Sequence, residues 1–129
     1  MEAAVSHSEG VALLRQVFDW LRLRDMDAFL GALDPDVEAH PSLGEGTVLH
    51  GRAEVRAWLS QFADVDHEFE VRPLEFEERG DCVLVRGYLR HRAERTLAEN
   101  QVYWVCKVCN GQIVRMESHP TRSAALRAC

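Results

Sequence analysis

Nothing in this chain approaches the run of about 18 apolar residues that a membrane-spanning helix needs. The opening residues, Met1-Glu2-Ala3-Ala4-Val5-Ser6, have neither the basic start nor the apolar stretch of a secretory leader. A cytoplasmic protein with reduced thiols is therefore expected. A basic surplus is missing too: the formal net charge is −6, whereas a nucleic-acid surface carries a stripe of Lys and Arg. Cysteine is sparse, with only Cys82, Cys106, Cys109 and Cys129. Cys106 and Cys109 form a C-x-x-C, but three residues apart on a strand they face opposite sides. No second pair stands at metal-ligand spacing, so the thiols read as small strand hydrophobes. The six histidines show neither H-x-H nor H-E-x-x-H spacing, and no metal site is expected. Internal repeats, linkers and low-complexity segments are absent. What is present is one domain, 1–129, with 47% hydrophobic and 28% charged residues, large enough to bury a core without staples.

The first half of the chain alternates helical and extended patterns. Ser6-His7-Ser8-Glu9 has the form of a capping box. After it Val11, Leu14, Phe18 and Leu21 recur at helical spacing, which predicts an amphipathic helix over 8–24. Asp25 can cap a second, shorter helix whose apolar face is Met26, Phe29, Leu30 and Leu33, ended by Asp34-Pro35. Asp36, Glu38 and His40 then alternate before Pro41, so a strand would point all three the same way. A loop around Leu43-Gly44-Glu45-Gly46 returns through Thr47-Val48-Leu49-His50. A third helix from Ala53 to about Phe62 follows, with Val55, Trp58, Leu59 and Phe62 as its stripe.

From Asp66 the pattern is of strands. In 67–77 the alternation of Phe69, Val71, Leu74 and Phe76 slips by one at Arg72-Pro73, which predicts a β-bulge. Strands are expected over 82–92, 99–109 and 112–119. Asn110-Gly111 is a strong hairpin signal between the last two. A short tail from Ser123 to Cys129 reads as helical. Three helices around a small strand pair, then a four-stranded antiparallel meander, make an α+β layer fold. Both faces of the later strands carry bulk: Leu84, Arg86 and Tyr88 alternate with Val83, Val85 and Leu89. One face can lie under the helices. The other needs cover, and a second copy of the sheet is the expected cover, making a homodimer. Scattered, solvated hydrophobes are the alternative.

The run from Val17 through Trp20, Asp25-Met26-Asp27 and Leu33-Asp34-Pro35-Asp36-Val37-Glu38-Ala39-His40-Pro41 to Gly51-Arg52-Ala53-Glu54-Val55 resembles the SnoaL-like branch of the nuclear transport factor 2-like superfamily. So does the ending Asn110-Gly111-Gln112-Ile113-Val114-Arg115-Met116-Glu117 with Arg122-Ser123-Ala124-Ala125-Leu126. The resemblance implies a cystatin-like α+β barrel: a curved antiparallel sheet forming a cone around three N-terminal helices and enclosing an apolar pocket. It implies a small apolar molecule as partner, no cofactor, and either acid/base chemistry of the polyketide cyclase, ketosteroid isomerase or limonene-epoxide hydrolase kind, or a non-catalytic dimeric binding module. The chemistry must be argued from the site.

By the same resemblance His40 sits near the position of an isomerase general base, work an imidazole can do near neutral pH. Glu38 would share its face. Arg86 and Tyr88 would line the pocket and stabilise developing negative charge. Trp104, Met116 and Ser118 would form the wall across the last hairpin, with Trp20 closing the pocket. The partner positions do not carry the two carboxylates of an epoxide hydrolase: they fall on Tyr88 and Ser118, unless a one-residue shift turns Glu117 inward. The isomerase acid position falls near Trp104. For each residue a structural role competes: an edge-packed His40, an outward ion pair for Arg86, and core packing for Trp104 and Met116.

Overall fold

The computed structural model describes residues 2–41, 46–61, 67–93 and 95–129. Helix α1 runs from Glu2 to Leu23 and α2 from Met26 to Gly31. Strand β1 (Leu33–His40) and the two-residue β2 (Leu49–His50) precede α3 (Gly51–Ser60). The four later strands are β3 (His67–Arg79), β4 (Cys82–Ala93), β5 (Thr96–Cys109) and β6 (Gln112–His119), and α4 (Arg122–Ala128) ends the chain. The fold is α+β, as the periodicity predicts.

Local chemistry sets several boundaries. The Asp25 carboxylate accepts from the Ala28 N–H at 3.2 Å and starts α2. Asn110 and Gly111 turn the last hairpin with φ of 53° and 76°, the left-handed pair that a tight two-residue turn demands. The bulge also lies where the alternation slips. The register of β3 against β4 shifts between Pro73 and Glu75, and Leu74 is left out of the ladder, 46% exposed. The capping box does not start α1: the helix begins at Glu2, so Ser6 lies inside it. The stripe residue Phe62 and the 43–45 part of the expected loop fall outside the described residues.

The strands form one sheet in the order β2-β1-β6-β5-β4-β3. The expected separate strand pair is not separate: β1 joins the meander by pairing in parallel with β6, Ala39 opposite Met116 and His40 opposite Glu117. The helices α1, α2 and α3 lie on the concave face. Leu14, Val17 and Phe18 of α1 pack there with Val37, Val85, Val102, Cys106 and Ile113 of the strands. Each such side chain, taken fully from water, contributes about 1.5–3 kcal/mol.

The convex face is covered in part by the chain itself. Ala125, Leu126 and Ala128 of α4 pack on Cys82, Leu84 and Val105. Thr121 caps α4 by accepting from the Ala124 N–H at 3.2 Å, and Arg122 pairs with Glu77 of β3 at 3.0 Å. The bulk at Leu84 therefore meets an intramolecular helix, not open water.

Candidate functional site

Between the concave sheet and the helices lies a cavity of about 90 Å³. Phe18, Leu21 and Phe29 form its helical floor, and Val55, Trp58 and Leu59 of α3 form one wall. The sheet side is Ala39, Val71, Leu89, Trp104, Met116 and Ser118. Cross-strand register explains the last three: Trp104 pairs with Ser118 and Cys106 with Met116, so Trp104, Met116 and Ser118 share one face.

The Trp104 indole is held in place from two sides. It tilts against the Phe18 ring, centroids 5.0 Å apart, and Phe18 meets Phe76 edge-on at 6.2 Å. The guanidinium of Arg15 covers the Phe76 ring at 4.5 Å. On the other side Gly87 leaves the room the indole needs: a Cβ there would sit 2.9 Å from Trp104 Cζ3 and 2.2 Å from the Arg72 carbonyl oxygen. The bulge at Pro73 and the glycine opposite it thus shape one wall together.

Among the described residues lining the cavity none is ionisable, and the Ser118 hydroxyl and the indole N–H groups of Trp58 and Trp104 are its polar side-chain groups. Its lining is thus an apolar surface with few hydrogen-bonding points.

Of the residues singled out from the sequence, Trp104, Met116 and Ser118 lie on this lining. Trp20 packs against the core, half-buried and outside the lining. The structure puts the others on the opposite face. In β1 it is Val37 and Ala39 that are buried, so Asp36, Glu38 and His40 do share a face, and that face is the convex one. Val83 and Val85 turn inward on β4, which turns Arg86 and Tyr88 outward. Arg86 donates to Glu75 on the neighbouring strand at 2.8 Å.

His40 and Glu38 belong to a charged chain across β1 and β6. His40 Nε2 is 2.6 Å from Glu38, Glu38 is 3.5 Å from Arg115, Arg115 pairs with Glu117, and Glu117 is 2.9 Å from His119 Nε2. The hydrogen bond with His40 holds the Glu38 carboxyl below the ordinary glutamate range; burial opposes it, and the Arg115 charge adds a smaller lowering. Glu117, expected inward only on a shifted register, is buried within this outer chain. The network's evident work is to tie β1 to β6.

Sequence reasoning did not assign Phe18, Phe29, Ala39, Val71, Leu89 or the α3 residues to the site. The signal available was their place on inward stripes, which marks core and cavity wall alike.

Residues 14–116 match the SnoaL-like domain family. No curated protein matches the chain at a significant level. Among solved structures, an NTF2-like protein of unknown function from Burkholderia pseudomallei is 29% identical, with 92% of this chain and 95% of that one covered at a TM-score of 0.75. TerC, co-crystallised with polyporic acid, is 25% identical, with 92% and 96% covered and a TM-score of 0.75. An LEH-like epoxide hydrolase from M. tuberculosis shares the fold at 16% identity, with 95% and 90% covered and a TM-score of 0.76.

Proposed function

The chain belongs to the SnoaL-like domain family, and on that premise we propose that it binds a small apolar molecule in the cavity between the concave sheet and α3, without acid/base catalysis by His40, Arg86 or Tyr88. The observation that carries this reading is the separation of the two sets of residues. The cavity lining contains no ionisable group among the described residues, while on the convex face Glu38 and Arg86 are engaged in ion pairs and His40 is hydrogen-bonded with Glu38. A general base must come within hydrogen-bond reach of the proton it takes, and a ligand in the cavity lies on the far side of the sheet from His40. An isomerase, cyclase or epoxide-hydrolase reading rests on fold likeness alone. The co-crystal of the relative TerC with polyporic acid supports a small-molecule role.

An apolar cavity of about 150 Å³ holds benzene, so a ligand of that size needs one wall here to yield. That wall is α3, in which Val55 alone is buried while Trp58 and Leu59 are half-buried. Ser118 gives the ligand one hydrogen-bonding point opposite α3. The proposal includes a cytoplasmic location, which cell fractionation tests. It also includes a homodimer through the part of the convex face that α4 leaves open, around Arg86 and Tyr88, tested by sedimentation of the wild type against Tyr88→Glu.

The ligand test is thermal stabilisation by benzene, indole, cyclohexanone and small epoxides. A ligand at about 100 times its Kd adds roughly 2.7 kcal/mol, a shift of several degrees. Ala39→Phe, which fills the cavity, should abolish the shift, and His40→Gln should leave it intact. Loss of the shift in His40→Gln with retention in Ala39→Phe would move the site to the convex face and end this reading.

A further inference from the structure

A second groove, of about 450 Å³, lies where the end of α1 meets the start of β3, the end of β4 and the start of β5. Among the described residues its lining carries four guanidiniums, Arg22, Arg24, Arg90 and Arg92, against one carboxylate, Glu70, with Leu97 as an apolar neighbour. It shares only Val71 with the apolar cavity. In a chain of formal net charge −6, this one groove gathers three positive charges in surplus.

Strand register builds most of the set. Glu70 stands opposite Arg90, Arg90 opposite Glu99, and Arg92 opposite Leu97. The period of two along β4 puts Arg90 and Arg92 on the face that also carries Arg86. The helix α1 packs along β3, the edge strand of the sheet, and its last turn brings in Arg22, where the helix carbonyl ends favour a cation. Arg24 follows in the left-handed region, at φ 62°. The ion pairs here are long. Arg22 lies 3.5 Å from Asp19, and Arg90 lies 3.4 Å from Glu99 and 4.0 Å from Glu70. Earlier on the same strand Arg86 holds Glu75 at 2.8 Å. A guanidinium has five N–H donors in a planar fork, so pairs of this length leave Arg22 and Arg90 with donors for another acceptor.

We propose that this groove binds the diphosphate group of a small organic molecule, with the guanidiniums on its oxygens and Leu97 against its organic part. The guanidinium fork takes phosphate oxygens two at a time. One phosphate group brings about −1.5 to −2 charges, so two linked groups match a surplus of three where a single carboxylate does not. The volume is that of a small-molecule site. Leu97 is 51% exposed and offers the organic part an apolar surface. A long polyanion such as a nucleic-acid strand would meet the acidic balance of the rest of the chain.

The experiment is calorimetric titration of the whole protein with pyrophosphate in low-salt buffer free of divalent cations. Saturable one-to-one binding is expected, tighter than that of sulfate or acetate and weakened by added salt. Adenosine diphosphate and a short alkyl diphosphate show which organic part Leu97 accepts, and at least one of them should bind more tightly than pyrophosphate. Arg90→Gln should weaken binding about tenfold, the worth of one charge-assisted hydrogen bond. Arg22→Gln, at an exposed helix end, should weaken it too without lowering the melting temperature, which keeps the test independent of folding. Glu70→Gln should tighten binding, an effect that general destabilisation does not produce. Arg56→Gln removes the same charge outside the groove and should change nothing. No saturable binding of pyrophosphate, equal binding of sulfate, no gain from either organic diphosphate, an equal loss in Arg56→Gln, or weaker binding in Glu70→Gln would each overturn the proposal.

Discussion

Gly87 is the position where a single methyl group should do the most harm. It lies on β4 opposite the bulge, and its backbone is packed against two other elements at once. A Cβ added there would meet the Arg72 carbonyl oxygen at 2.2 Å, Pro73 Cα at 2.9 Å and Trp104 Cζ3 at 2.9 Å. Two of these three atoms belong to backbone, so they cannot rotate away as a side chain would. Relief requires β3 to slide outward or Trp104 to leave its rotamer, and the second route breaks the stack with Phe18. Overpacking of this kind costs about 1–3 kcal/mol, occasionally more. Rigid partners on both sides put Gly87→Ala at the upper end, about 3 kcal/mol. For a chain of this length that is roughly 10 °C in melting temperature. Urea unfolding followed by Trp fluorescence measures it directly, with an unchanged slope showing that the unfolded state is not the cause. The same variant should lose ligand-induced stabilisation, because the displaced indole is a cavity wall. A Gly87→Ala protein within about 0.5 kcal/mol of wild type would refute the claim that the bulge and Trp104 are locked together through this glycine.

The contrasting substitution is Gly10→Ala in α1. Its Cβ would approach only the Glu78 carboxylate, at 2.8 Å from Oε1, the free end of a flexible side chain. Helix propensity favours Ala by about 1 kcal/mol, so urea melts should show no loss and up to that gain. Trp104→Ala should cost about 3–5 kcal/mol while enlarging the cavity, and the best ligand in a thermal-shift panel should become larger. Acid should weaken the fold through Glu38, Glu75 and Glu77. Each is held below the ordinary value of 4.5, Glu38 by the hydrogen bond with His40, Glu75 by that from Arg86 and Glu77 by those from Arg122 and Arg79. A depressed folded-state value means that the stabilisation is complete above 4.5 and is lost as pH falls below it through the lowered values. Urea midpoints should therefore fall below that pH, less steeply in high salt because these pairs are exposed, and the combined Glu→Gln variant should flatten the fall.

Local signals were legible in the residues wherever the cause lay within a few positions. The apolar spacing of Leu14 and Phe18, the Asp25 cap, the Asn110-Gly111 turn and the slip at Pro73 all depend on side-chain periodicity or on φ preferences that act along the chain. The same periodicity grouped Asp36, Glu38 and His40 on one face, and Trp104 and Met116 across one hairpin, where the structure adds Ser118. A period of two sorts residues into two sets without saying which set faces the helices. That choice was made by contacts distant in sequence. Val37 and Ala39 are drawn inward by the α1 and α3 core, and β1 docks in parallel on β6, more than seventy residues later. The cover over Leu84 and Val105 was decided the same way, by α4 folding back across the sheet from the end of the chain. Sequence by itself determined the elements, their turns and the residues that travel together. Tertiary structure alone decided that the charged set looks outward and the apolar set encloses the cavity, because burial is a property of where a face is packed and not of the order in which its residues are joined.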